Sequence, residues 1–331
     1  MKSMFTRRWF RRKRFAFVFL SLVLCATMII PDAASAAYYN TYTTVDTLPD
    51  AHGCTAVQGF AVGSTYVYSI KIKKDETRAV IYRTRMSDGT TTLMKNGDDG
   101  TTYATYLGHG NDIALHSNDG KYYMFVVTMK KGAMSLVKLQ YVGNTYYKVG
   151  NYTIRYNGED VSMSGVAITG KDSKNIYFLF KSSTKFYRGS LPINATSGTI
   201  HVTHAFDLNV EDALVNGKPV KDFLPSWTTQ GIGLYKDTLY FPVTETNDPD
   251  GFNNISVVLV YRNISAASGT IYADDDLSFR ITSSAYKKLF EIEGVGIANG
   301  DKLWFNTNRT TEQGTASDNV GYFNGYSASD E

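Results

Sequence analysis

Five short segments put a polar residue ahead of an apolar–small–apolar run. They are Gln58-Gly59-Phe60-Ala61-Val62, Asn111-Asp112-Ile113-Ala114-Leu115, Ser164-Gly165-Val166-Ala167-Ile168, Gln230-Gly231-Ile232-Gly233-Leu234 and Glu293-Gly294-Val295-Gly296-Ile297. Two amides of glutamine, one of asparagine, a hydroxyl and a carboxyl brought together from these positions could bind sugar hydroxyls, a phosphate-bearing polyol through bridging water, or an ion. The second copy has Asp112 where the others have glycine, and His109 beside it adds another titratable group. Titratable groups gathered in this way mark functional sites more often than chance. Asp112 and Glu293 are the acids at the recurring positions, so they form the pair available for two-carboxylate glycan cleavage. The competing reading is structural: the polar residues cap strands and hydrate a channel.

Ring faces are the other means of holding a sugar. Trp227, just ahead of the fourth copy, and Tyr103 and Tyr106 are the candidates for stacking on a glycan. Cys54 with His52 reads as a small buried hydrophobe near a surface histidine rather than a thiol–imidazole pair. The acids Asp98-Asp99, Asp248 with Asp250, and Asp274-Asp275-Asp276 lack the spaced oxygen ligands of a calcium loop and read as loop tips. No catalytic residue, metal ligand or cofactor is assigned.

The elements that must position these residues follow from the repeat. Its second positions lie 53, 53, 66 and 63 residues apart. Each copy is followed by a turn and an aromatic-rich strand, such as Tyr122-Tyr123-Met124-Phe125-Val126, and then by a third strand. Strand–turn–strand units at a period above fifty residues are the signature of propeller blades. The expected fold is therefore all-β, a five-bladed β-propeller spanning residues 37–331, with a β-sandwich as the alternative. Innermost strands crowd at a propeller axis, which explains the small central residue of each copy. Ring closure predicts that residues 38–45 add an outer strand beside Val320-Gly321-Tyr322-Phe323, because an open ring would leave two unpaired edges. Single helical turns are expected at 211–214 and 287–290.

Residues 1–36 read as a signal peptide: a basic stretch, the apolar run from Phe15 to Ile30, and Ala34-Ser35-Ala36 for cleavage. They hold seven of the 34 Lys/Arg and one of the 31 Asp/Glu, which leaves 27 basic against 30 acidic residues and a net charge of −3. That balance gives no basic face for a nucleic acid. The expected product is secreted or wall-associated, without a stable membrane span after processing. With Cys54 alone remaining, its stability must come from a large core.

Around the first copy, Val62-Gly63-Ser64-Thr65-Tyr66-Val67-Tyr68, Lys73-Lys74, Thr77 and Tyr82-Arg83 resemble the N-terminal region of the helveticin J family, large heat-labile bacteriocins of lactic acid bacteria. Gly108-His109-Gly110-Asn111-Asp112 resembles a Gly-His-Ala-Asn-Asp motif of related surface and phage-type propeller proteins. The resemblance implies a secreted antibacterial protein that binds a bacterial cell-wall polymer or surface glycan, and transfers no catalytic residue. A non-toxic lectin or adhesin, and a propeller glycan hydrolase or lyase using Asp112 and Glu293, stand as the alternatives.

Overall fold

A high content of β-branched and aromatic residues favours strands throughout. The computed structural model describes residues 41–298 and 302–326. The described chain is all-β apart from one helical turn, Val220–Phe223, and a 3-10 turn, Ile264–Ala266. The predicted leader and residues 38–40 of the predicted closing strand lie outside it.

The strands form five antiparallel units, each with one copy of the repeat at its inner strand. The first unit runs Ala56–Val62, Tyr66–Ile72, Ala79–Arg85 and Thr91–Leu93. The second runs Asp112–Asn118, Lys121–Val127, Leu136–Val142 and Thr145–Tyr156. The third runs Gly165–Lys171, Asn175–Ser182, Lys185–Pro192 and Ser197–Asn209. In the fourth, Trp227–Thr229 and Gly233–Tyr235 both pair with Thr238–Glu245, followed by Ile255–Tyr261 and Phe279–Thr282. The fifth contains Leu289–Ala298, Lys302–Thr310 and Asn319–Phe323. Its outer strand is Tyr42–Thr47, paired antiparallel with Asn319–Phe323, so the two ends of the described chain meet as ring closure requires. The outer strands of the other four units carry no repeat signature and went unpredicted.

The expected helical turns are not where the sequence put them. Leu289 and Phe290 begin the inner strand of the fifth unit, and Leu214 and Val215 pair with Lys218 and Pro219. Beta pairing satisfies their backbone groups instead.

Apolar packing lies between the units. Among the described residues, five buried clusters each join one unit to the next, as where Phe125 meets Phe178 edge-on at 5.1 Å. One cluster puts Phe60 and Val67 of the first unit against Trp304 and Val320 of the fifth. The inner strands then approach so closely that a Cβ on Gly233 would lie 2.7 Å from the Val295 carbonyl oxygen. The small central residue is thus a steric requirement. The apolar–small–apolar triplets of all five copies line a narrow cavity of about 160 Å³.

Candidate functional site

The same inner strands bring their polar starts together. Gln58, His109, Asn111, Ser164, Gln230 and Glu293 line one cavity of about 530 Å³, to which every unit contributes. Trp227, of the sugar-stacking candidates, lines it too, as a half-buried indole on the strand that precedes Gln230.

Hydrogen bonds between neighbouring units fix this rim. The backbone N–H of Gly59 donates to the Gly110 carbonyl at 2.9 Å, and that of Gly231 to the Glu293 carbonyl at 2.8 Å. Asn111 Nδ2 donates to the Ser164 carbonyl at 2.6 Å. Between the fifth and first units, Asn306 and Asn308 donate to the carbonyls of Gln58 and Val57 at 2.9 and 3.0 Å. Polar groups spent in this way stiffen the rim.

Asp112 is not a mouth residue. It is fully buried, and its carboxylate accepts backbone N–H groups from three units: Ile113 at 2.9 Å, Val166 at 3.0 Å and Ile232 at 3.0 Å. The repeat's second position turns inward among the strands, where glycine otherwise makes room. A Cβ on Gly231 would lie 3.0 Å from Asp112 Oδ1. One aspartate occupies the space the neighbouring glycines leave. Burial pushes its carboxyl up, against the three N–H donors and the charge of Lys181. Lys181 is equally buried, and its Nζ donates to the Gln230 carbonyl and to Thr229 Oγ1. Burial pushes this ammonium down, opposed by Asp112 and Glu293. The carboxylate pair expected from sequence, Asp112 with Glu293, therefore does not face a common substrate.

Glu293 does line the cavity, beside an acid that the repeat did not single out. Glu291 precedes it by two residues on the same strand, and Asn308 Nδ2 donates to both carboxyls, at 3.3 Å to Glu291. Gln230 Nε2 donates to Glu291 Oε1 at 2.6 Å. Glu291 had a signal. It occupies the same column as His109, two places before the recurring polar residue, and Ser162 and Thr228 in that column also line the cavity.

Burial, and then the adjacent Glu291, push the Glu293 carboxyl well above the usual carboxylate range. The folded state therefore holds this proton more tightly than the unfolded chain. Its stabilising contribution is complete below the unfolded value of about 4.3 and is lost as pH rises through the folded value. Glu293→Gln, shaped like the protonated acid, should remove that loss. The variant is expected to gain on the wild type above about pH 4.3, by at most about 1.4 kcal/mol per pH unit. Urea unfolding at a series of pH values measures this, and a difference constant with pH would contradict it.

His109 sits between two glycines in the left-handed region, Gly108 and Gly110, both with φ of +57°. Its Nδ1 meets Glu76 Oε1 at 2.8 Å, so its partner is Glu76 and not Asp112 as the sequence suggested. Tyr103 and Tyr106 are not at the cavity. Tyr103 packs on the His52 ring and under Arg78, while the Tyr106 hydroxyl donates to Asp98 and its ring lies under Lys148. Cys54 is wholly buried in the cluster between the first and fifth units, and burial pushes its thiol up. His52 bonds Thr102 instead. The loop acids close their own turns: Asp99 accepts from Thr101, Asp248 from Asp250, and Asp274 from Asp276 and Leu277.

No protein-family model matches the chain, and no curated protein matches its sequence. Solved structures show a distant likeness. A GH43 β-xylosidase/α-arabinofuranosidase from a compost microbial metagenome, in complex with xylotriose, is 11% identical, covering 83% of this chain and 98% of its own, with a TM-score of 0.42. The catalytic domain of the Coprinopsis cinerea GH62 α-L-arabinofuranosidase is 7% identical over 87% of this chain and 97% of its own, with a TM-score of 0.46. A nidogen/laminin complex is 12% identical over 78% and 76%, with a TM-score of 0.34. Similarity at this level assigns the chain to no family.

Proposed function

We propose that this chain is a five-bladed β-propeller that binds glycan in the cavity at one mouth of its channel. It would do so as an exported protein attached to a bacterial surface. The observation that carries the reading is the cavity itself. Amides, hydroxyls and carboxyls from all five units converge on about 530 Å³ with an indole in the wall. This is the composition a sugar needs: hydroxyls take hydrogen bonds from fixed polar groups, and a ring's C–H face takes the aromatic surface.

Binding without cleavage fits the carboxyls best. Glycosidases set two carboxyls on opposite sides of the bond to be broken, at least about 5 Å apart. Glu291 and Glu293 stand side by side and share one amide donor, and Asp112 is committed to backbone. The antibacterial activity implied by the helveticin J resemblance would add a killing step to this binding.

Titration of residues 37–331 with neutral oligosaccharides and isolated cell walls tests the reading. Trp227→Ala is expected to weaken binding roughly tenfold, and Asn111→Ala to weaken it less, with both variants still folded by circular dichroism. No binding to any glycan, or binding indifferent to both substitutions, would sink the proposal. A killing assay on the same strains separates a toxin from a lectin.

A further inference from the structure

The charge around the cavity is one-sided. Its lining contains Glu291 and Glu293 and no lysine or arginine. His109 also lines it, but its ring is already matched by Glu76 at 2.8 Å. Lys181, near the floor, is fully buried, and its ammonium is turned to the Gln230 carbonyl and Thr229 Oγ1. It presents no cation to a ligand. Glu293 is buried, and burial pushes its carboxyl well above the usual carboxylate range, whereas Glu291 is only half-buried and accepts amide donors on both its oxygens. An acceptor held in this way is oriented before a ligand arrives.

Resting on the glycan-binding reading, we propose that the preferred ligand is an amino sugar with a free ammonium, which Glu291 receives while Trp227 holds the ring face. A phosphate- or carboxylate-bearing polymer would bring like charge against Glu291 in a partly enclosed space, where screening by water is weakest. A charge-assisted hydrogen bond from ammonium to carboxylate is stronger than one from a neutral hydroxyl. The indole separates an amino sugar from other amines, since a linear alkylamine or an aminoacylated polyol offers no pyranose face to stack.

The test is calorimetric titration of residues 37–331, at about pH 6 where a sugar amine is protonated. The probes are a β-1,4-linked glucosamine tetramer, the same tetramer N-acetylated, and an oligogalacturonate. The free amine is expected to bind about tenfold more tightly than the acetylated tetramer, and the uronate more weakly than either. Glu291→Gln should lower the affinity for the amine about tenfold and that for the acetylated tetramer by much less. Equal affinity of amine and acetylated tetramers for the wild type would overturn the amine preference and leave glycan binding standing. So would a Glu291→Gln variant that weakens both alike, or a uronate that binds best. If no sugar binds, both readings fall.

Discussion

Asp112→Ala is expected to lower the unfolding free energy by about 4 kcal/mol, the cost of several orphaned buried donors after partial relaxation. The carboxylate serves the N–H groups of Ile113, Val166 and Ile232, which lie on three different units. Alanine leaves all three donors in a buried place with no acceptor, and orphaned buried donors cost about 1–3 kcal/mol each before relaxation. It also removes a carboxyl that favours the charged form of the buried Lys181. A cycle with Lys181→Met distinguishes the two costs. If the charges are coupled, the double variant loses less than the two single losses combined, by about 0.5–3 kcal/mol. Strictly additive losses in urea unfolding would mean that Asp112 acts through the backbone donors alone.

This residue shows where the sequence was readable and where it was not. The repeat revealed the inner strands because steric crowding writes itself into every copy: Ala61, Ala114, Ala167, Gly233 and Gly296 face the same narrow space. The polar starts were readable for the same reason, since each copy supplies one. Asp112 was visible as an exception to glycine, but its direction was not. A one-residue change of position along a strand reverses the face a side chain takes, and Asp112 lies one place beyond the mouth residue Asn111. Glu291 sits in a column whose other members are alanine, histidine, serine and threonine, with no shared chemistry to draw attention. Buried cations were invisible for a more general reason. Lys71, Lys181 and Arg309 are at most 1% exposed, although such residues are ordinarily at the surface. Their partners are distant in sequence, so no local pattern announces them.

The outer strands went unseen because they contribute least to the crowded axis. Thr91–Leu93 and Phe279–Thr282 are short, and the long Thr145–Tyr156 and Ser197–Asn209 carry mostly polar residues where they meet solvent. Those two long strands pair in parallel over Asn151–Tyr156 and Ser197–Val202, joining the second unit to the third at the rim. Nothing in a hairpin repeat anticipates a parallel contact between neighbours. The closing strand was readable only because topology demanded it: a ring that ends on three strands needs a fourth from the other end of the chain.

That strand carries the second large expectation. Removing residues 41–47 should destabilise the whole ring, by more than about 4 kcal/mol, and should promote association of the exposed edge of Asn319–Phe323. The pairing lost is a ladder from Tyr42 with Phe323 to Thr47 with Asn319, broken by a bulge at Val45. Beneath it lies Arg309, 1% exposed, whose Nη1 donates to Thr44 Oγ1 at 2.8 Å and whose guanidinium lies 4.9 Å from the Tyr42 ring centre. Tyr42 in turn packs on Phe290 and Phe305 at 5.3 and 5.9 Å. Just beyond the strand, Lys71 of the first unit donates to the Leu48 carbonyl and pairs with Asp50 and Asp318. The deletion would therefore loosen the anchorage of a second buried cation as well as uncover the first. Thr41→Ala serves as a control: its side chain is exposed and the change should alter stability by no more than about 0.5 kcal/mol. Thermal and urea unfolding of the shortened chain should show a lower midpoint in one cooperative transition, since each unit packs on two neighbours around the ring. An unchanged midpoint, or an early transition confined to the fifth unit, would show that closure is not what holds the ring together.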